Sequence, residues 1–380
     1  MLRTALKFIR YDKAKSIGVV IGIVVSTFLI GQQIGILNFL MDLMGGLINN
    51  SRTATTQIWV VDSMTKNANN LSQLDKRKVY EIQSIDGVRS AEPMFIGAAV
   101  ARFKNGKTAP VNIIGSNPPG FVAGPNRKKI FKGTLNDLVE DYGISADYFD
   151  AKTFGSSTDV GTELEINGTK AIIRMQTKNA RGFGGSYFYT TLDKARMYCK
   201  TSDVKISAIA VSIDDGFTPQ QVVKNINAAI PGIRAWTTDN LRSTTVKFLV
   251  VSSNIGSSIG SLVIFAILSG FFIIGLTLYS SAMDRIRDYG TLKAIGARNR
   301  FITKLIITQS ALFSITGFII AIGLLTAFKA AVSGSGLLIH IGPMLMLGLF
   351  LVTFGISLGS TFFFSVRTIK TVEPASVFRN

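Results

Sequence analysis

The chain has 380 residues, a formal net charge of +18, 47% hydrophobic and 17% charged residues, and a mean hydropathy of +0.35. That is too apolar for a wholly soluble protein and too charged for a bare bundle of membrane spans, so a mixed membrane and soluble architecture follows. Part of the positive charge is topological, anionic lipid headgroups are its simplest partners, and nucleic acid is not expected to be one.

In chain order, Leu2, Ala5, Leu6 and Ile9 share one helical face among Arg3, Lys7, Arg10, Lys13 and Lys15. Residues 1–15 therefore read as an amphipathic helix in the inner membrane interface. Residues 16–41 hold no Asp, Glu, Lys, Arg or His. The stretch is longer than a secretion signal's apolar region and ends in no clean small-x-small site, so it reads as an uncleaved first transmembrane helix. Three more uncharged windows follow at 248–283, 305–328 and 341–366, each longer than the roughly 20 residues that cross a bilayer core. The first of these has 36 residues, more than a core of about 30 Å needs, and is expected to continue outside the membrane as a stalk. Five Lys and Arg precede the first window, six lie in residues 284–304 and three in the tail 367–380, whereas the 329–340 loop has only Lys329. The positive-inside rule then puts both termini and the 284–304 loop in the cytoplasm and residues 42–247 outside.

The long insertion, 42–247, reads as an α+β domain. A β-rich apolar run, 57–62, opens it, and a helix-like stretch, 74–85, follows. Strand-like segments 87–103 and 111–115 flank Asn105-Gly106, and 161–166 and 170–176 flank Asn167-Gly168; both dipeptides are hairpin signals. Segments 206–213, 218–230 and 233–236 form a β-α-β unit. A β-rich subdomain is expected to be inserted over about 116–200. With Cys199 as the only cysteine, no internal disulfide is possible, and a domain of this size can stand on its apolar core.

Catalytic chemistry is not indicated. Gly106-Lys-Thr108 lacks the earlier glycine of a phosphate-cradling loop, because Ala101 occupies that position. His340 is the only histidine, which leaves neither a metal set nor a Ser/His/Asp arrangement. The uncharged spans and the missing inverted repeat argue against an ion-coupled secondary transporter. The chain reads as a non-enzyme without a cofactor of its own.

Residues 283–302, Met-Asp-Arg-Ile-Arg-Asp-Tyr-Gly-Thr-Leu-Lys-Ala-Ile-Gly-Ala-Arg-Asn-Arg-Phe-Ile, form a compact charged loop between two spans. Arg285 is three residues from Asp288 and Asp284 three from Arg287, so a short helix can pair them. Gly290, Gly296 and Ala297 allow another backbone to approach, which suggests a docking element. Small residues recur four apart at Gly18/Gly22, Gly31/Gly35 and Gly256/Gly260. They fit a dimer seam through Gly18, Gly22, Gly256 and Gly260, or the ordinary glycine enrichment of membrane helices. Arg181-Gly-Phe-Gly-Gly-Ser-Tyr-Phe-Tyr189 could touch substrate or an adaptor protein, although a glycine-bent loop entering a core strand is the preferred reading.

Residues 277–297 resemble the acidic-Arg-x-Arg-acidic-(Ile/Tyr)-Gly-x-x-basic-Ala-x-Gly-Ala signature of the FtsX/MacB-type ABC transporter permeases. Residues 57–62, Gly87-Val88 with Glu92-Pro93, Val160-Gly161, Ile166-Asn-Gly168, 187–191 and the ending Val372-Glu-Pro-Ala-Ser-Val-Phe-Arg379 extend the resemblance, which is closest to the DevC-like exporters. Asp284 and Asp288 stand where many relatives have Glu, and the shorter carboxylates could alter which ATPase docks. The resemblance implies that Asp284, Arg285, Arg287, Asp288, Gly290, Lys293, Ala294, Gly296 and Ala297 form a coupling helix seated on a separate ABC ATPase subunit, which carries the ATP and Mg. It further implies an inner-membrane homodimer with four transmembrane helices, a periplasmic adaptor, an outer-membrane duct and an amphiphile or lipid-like cargo. Alternatives within the resemblance are a lipoprotein-extracting permease and an FtsX-like signalling mechanotransducer that activates cell-wall hydrolases.

Overall fold

The computed structural model describes residues 13–52, 56–284 and 286–366. Most of the helix expected over 1–15, the tail 367–380 and Arg285 lie outside them. In chain order the helices are α1 (Lys13–Met44), α2 (Gly46–Asn50), α3 (Lys78–Gln83), α4 (Ala151–Phe154), α5 (Leu192–Cys199), α6 (Pro219–Ala229), α7 (Thr238–Ser252), α8 (Ile255–Asp284), α9 (Ile286–Ala294), α10 (Asn299–Ser333) and α11 (Pro343–Ser360), the last followed by a π-helical turn, Thr361–Val366. The strands are β1 (Ile58–Asp62), β2 (Leu74–Asp75), β3 (Val88–Phe103), β4 (Thr108–Ser116), β5 (Ile130–Lys132), β6 (Gly143–Asp147), β7 (Glu163–Ile166), β8 (Thr169–Thr177), β9 (Ser186–Thr191), β10 (Lys205–Ile206), β11 (Ala208–Ile213) and β12 (Ile233–Thr237). They fall into a helical unit, reaching to Phe39 and resuming at Ile255, and a sheet unit, Leu40–Asn254.

Among the described residues, four helices are long and apolar enough to cross a membrane: Ser16–Met44, Ile255–Asp284, Asn299–Ser333 and Pro343–Phe364. Val19, Ile23 and Ile30 of α1, Ala266, Ile274 and Leu278 of α8, Phe313 and Leu325 of α10, and Leu349 and Ile356 of α11 form their common core. Lipid provides no hydrophobic drive between helices, so close packing and hydroxyl bonds must hold them. Glycines permit the packing: a Cβ on Gly22 would lie 2.8 Å from Ile273 Cγ2 of α8, and one on Gly317 would lie 2.5 Å from Ile23 Cγ2 of α1. Thr27 and Thr353 hydroxyls bond at 2.9 Å, Ser310 and Ser357 hydroxyls at 2.9 Å, and Thr361 donates to Ser310 at 2.8 Å.

The uncharged window 248–283 is not one helix. α7 ends at Ser252 and α8 begins at Ile255, with Asn254 between them at φ +56°. Asparagine tolerates that left-handed conformation better than most residues, because its short side chain can bond locally. The window expected to continue beyond the span as a stalk is therefore divided between two helices.

The sheet unit is built on one ten-stranded sheet in the order β12-β1-β11-β3-β7-β8-β5, with β4 on β3, β9 on β4 and β6 on β8. The expected separate subdomain over 116–200 does not have its own sheet. β3 is 16 residues long and unites the two parts: its start pairs with β11 and its end with β7, while β4 lies along Met94–Arg102. Both expected hairpins form, with Gly106 at φ +79° and Asn167-Gly168 at φ +48° and +83°. β11, α6 and β12 make the expected β-α-β unit, and β1 lies between its strands, antiparallel to both. Helix covers both faces, which explains the unbroken apolar run of β1. Ile58 and Val60 pack with Val79 of α3 and Val222 and Ile226 of α6. Trp59 and Val61 point the other way, into a core with Leu47 and Ile48 of α2 and Leu241 of α7.

Gly317→Val should destabilise the helical unit by about 1–3 kcal/mol, because the added atoms collide with Ile23. Gly323→Ala should not, since nothing lies within 4 Å of its added Cβ. Thermal unfolding of the purified chain in detergent measures both, and equal midpoints would contradict this packing.

Candidate coupling surface and a clasp in the sheet unit

The residues between α8 and α10 form the short helix that their spacing suggests. α9 closes with paired bonds, from Gly296 N–H to Lys293 O at 3.0 Å and from Ala297 N–H to Leu292 O at 2.9 Å. This closure needs a left-handed residue just past the helix, normally glycine, and Gly296 has φ +96°. Inside the turn, Tyr289 is buried with Ala282 of α8 and Ile302, Leu305 and Ile306 of α10. α9 is thereby anchored to the two spans it joins. Its outer face is the opposite in character: Arg287, Asp288, Thr291 and Ala294 are exposed, and Ile295 is 79% exposed. A groove of about 700 Å³ opens beside it, with Leu292, Ile295, Phe301, Arg298, Arg300 and Lys304 among its walls. An exposed isoleucine amid bases is suited to a partner offering an apolar notch with an acidic rim.

In the sheet unit, a clasp closes where the chain leaves α1 and where α7 leads toward α8. Arg242 of α7 donates from Nε to Asn49 Oδ1 at 2.8 Å and from Nη2 to Asp42 Oδ1 at 3.1 Å. Asn69 Nδ2 donates to Met44 O at 2.7 Å, and Ala68 N–H to Thr245 Oγ1 at 2.9 Å. On the side toward β9, Phe183 N–H donates to Leu43 O at 2.9 Å and Asn50 Nδ2 to Arg181 O at 3.0 Å. A Cβ on Gly46 would come within 2.6 Å of Arg181 O, so only glycine lets α2 lie this close.

Arg181 completes a buried polar cluster. Its Nε is 3.8 Å from Asp147 Oδ1, its Nη1 is 3.8 Å from Asp150 Oδ1, and its guanidinium lies 5.2 Å from the centre of the Phe149 ring. Asp147 accepts from Thr177 Oγ1 at 3.0 Å, Ala180 N–H at 2.7 Å and Phe149 N–H at 3.1 Å. Burial still holds the Asp147 carboxyl above its ordinary range. Asp150 is pushed up to about 7, first by burial and then by Asp147, against the opposing bond to Ser186 and the charge of Arg181. Burial also pulls the Lys129 ammonium down, despite Asp147 and Asp42.

Residues 260–372 match the FtsX-like permease C-terminal family. The chain carries an FtsX-like permease domain. The resemblance read from residues 277–297 is thereby borne out. Among solved structures, the chain is similar to the periplasmic region of MacB from Actinobacillus actinomycetemcomitans, at 12% identity over 50% of this chain and 92% of that one, with a TM-score of 0.38. It is similar also to the extracellular domain of the noncanonic ABC-type transporter YknZ from Gram-positive bacteria, at 15% identity over 48% and 100% of the two chains, with a TM-score of 0.35. No curated protein matches the sequence.

Within the permease domain, Asp288, Gly290, Lys293 and Ala294 sit on α9, as does Arg287, while Asp284 ends α8 and Gly296 and Ala297 close the turn. The Arg285–Asp288 pairing involves a residue outside those described. The four glycines of the supposed seam do not share a role. Gly18 and Gly22 face Thr277 and Ile273 of α8 in the same chain, whereas a Cβ on Gly260 meets nothing within 4 Å, and Gly256 is half-buried. Sequence reasoning missed the clasp. Arg242 and Asn49 carried no local signal, and the preferred reading of residues 181–189, a bent entry to β9, holds without having indicated their bonds to Leu43 and Asn50.

Asp150 gives a pH dependence with a definite sign. Its folded value is raised, so its contribution to stability is complete below the ordinary carboxylate range near 3.8 and is lost as pH rises through about 7. Relative to Asp150→Asn, the parent chain should lose roughly 2–3 kcal/mol of stability between about pH 5 and pH 8. Chemical unfolding of both proteins at the two pH values is the check. Parallel curves would show that Asp150 titrates normally.

Proposed function

We propose that the chain is the permease subunit of an ABC-type exporter, working as a homodimer with two copies of a separate ATPase that holds ATP and Mg. The observation that carries this reading is α9: a short helix locked at its end by Gly296, anchored through buried Tyr289 to both adjoining spans, and exposing Ile295 beside Arg298, Arg300 and Lys304. A helix held this firmly passes a push from a docked partner directly to α8 and α10. In this reading α9 faces the cytoplasm, both termini lie on that side of the inner membrane, and the sheet unit lies outside. ATP-driven closure of the ATPase pair moves α8 and, through α7, the sheet unit, which delivers an amphiphile or lipid-like cargo to a periplasmic adaptor and an outer-membrane duct, as in DevC-like exporters. The seam between the two copies then runs along the Gly256 and Gly260 side of α8, since Gly18 and Gly22 are occupied within the chain.

Docking is tested by Arg287→Glu and Ile295→Asp, which change exposed groups and leave the Tyr289 core alone. Each should reduce co-purification of the ATPase roughly tenfold or more, as loss of a central interface anchor does, while the permease keeps its own unfolding midpoint. Undiminished co-purification with both changes combined would remove α9 from the docking role.

A further inference from the structure

The sheet unit carries a patch of bases and aromatic rings that the coupling role does not use. Residues 125–134, Pro-Asn-Arg-Lys-Lys-Ile-Phe-Lys-Gly-Thr, hold four bases and no acid. They fold as a 3-10 turn, Arg127–Lys129, followed by the edge strand β5. β5 pairs with the end of β8, and Lys178 N–H donates to Lys129 O at 2.8 Å, so Lys178 joins the same edge. Phe131 and Tyr148 are 48% and 47% exposed and meet edge to face with centroids 5.7 Å apart. The Lys178 ammonium lies 5.3 Å from the Phe131 centroid and 5.6 Å from that of Tyr148, and Lys132 lies 5.9 Å from Phe131. Of the nearby acids, Asp147 and Asp150 are buried against Arg181, half-buried Asp137 accepts from Thr134 N–H and Oγ1, and exposed Asp159 takes Lys132 at 3.0 Å. Exposed Arg127, Lys128, Lys132 and Lys178 therefore outnumber exposed acid by three.

Position supplies the second argument. Lys129 Nζ donates to Asn50 Oδ1, and the loop after Lys178 bonds through Arg181 and Phe183 to Asn50 and Leu43. Leu43 lies at the end of the candidate span Ser16–Met44, and residues 45–50 directly follow it. The patch is thus tied to the stretch of chain that leaves the bilayer. Exposed aromatics beside lysines and arginines are the side chains that settle at a membrane–water interface, the rings at headgroup level and the bases on anionic headgroups.

We propose that Arg127, Lys128, Lys132 and Lys178, with Phe131 and Tyr148, form a membrane-facing foot of the sheet unit that rests on anionic phospholipid headgroups of the bilayer around the first span. Each base near an anionic surface strengthens binding by about fivefold. The contact weakens with salt, because the exposed charges are screened over about 8–10 Å. The foot would hold the edge of the sheet unit near the bilayer, independently of whether an ATPase docks on α9.

The test uses the full chain carrying Phe131→Trp, reconstituted in nanodiscs of phosphatidylcholine with brominated acyl chains, with or without phosphatidylglycerol. Quenching of the added tryptophan, taken relative to the parent with its native Trp59 and Trp236, reports approach to the bilayer. Quenching should appear with phosphatidylglycerol, fall in high salt, and drop at least roughly fivefold in Lys128→Glu/Lys178→Glu; both sites are exposed, and an unchanged unfolding midpoint confirms the fold. Quenching that is absent, or equal in the two lipid mixtures, would overturn the proposal. So would an emission change produced by inorganic phosphate without any bromolipid quenching, which would mark a site for free phosphate instead of a membrane contact.

Discussion

Arg242 is where the two crossings of the chain between helical and sheet units are held together. Its guanidinium reaches Asn49 and Asp42 at the end of the first crossing, while its backbone lies in α7 at the start of the second. The side chain is 38% exposed and that of Asp42 61% exposed, so solvent screens the ion pair and its own contribution is small, at most about 1 kcal/mol. The clasp is strong as a set. The bonds of Asn69, Phe183 and Asn50 converge on residues 43–50, that of Thr245 ties α7 to Ala68, and each buried member would leave an unsatisfied group if it opened.

The clasp is continuous with the core of the sheet unit. Trp59 and Val61 of β1 pack with Leu47 and Ile48 on one side of the clasp and with Leu241 on the other, and β1 lies one strand in from the β12 edge of the sheet. Close-packed interiors pass on strain because they have little free volume to absorb it. The two backbone connections differ: α1 runs as one helix from Lys13 to Met44, whereas α7 and α8 are separated at Ser253-Asn254. An interruption of this kind can absorb a change of angle that a continuous helix resists. The α9 turn has the opposite design, since the Gly296 closure and the Tyr289 core leave it little freedom.

Much of this was legible locally. Uncharged windows located the spans, alternation and apolar runs located β1, β3 and β11, and Asn105-Gly106 and Asn167-Gly168 located the hairpins, because each depends on neighbours in sequence. The short helix between α8 and α10 was likewise written in the spacing of residues 284–297. Four features were not. The break at Asn254 was hidden by counting charges alone, although Ser252-Ser253-Asn254 is a polar interruption that a closer look at composition exposes. The single sheet was missed because it depends on β3 pairing with strands far away in sequence on both sides. The glycine stripes of α1 gave spacing but no direction, and only tertiary packing shows that Gly18 and Gly22 face α8 of their own chain. The clasp joins Asp42 to a residue 200 positions away, a relation that local pattern does not encode.

Hydrogen exchange on the full chain, parent and Arg242→Ala, measures the clasp most directly. If the crossings belong to the cooperative core of the sheet unit, the amides of residues 45–50 and 241–245 exchange in the parent as slowly as those of β1, with one common opening free energy. Arg242→Ala should then speed exchange over 45–50, 241–245 and β1 together, by roughly fivefold at most, in keeping with about 1 kcal/mol. Exchange of 45–50 that is already fast and independent of β1 in the parent, or that ignores Arg242→Ala, would contradict the account.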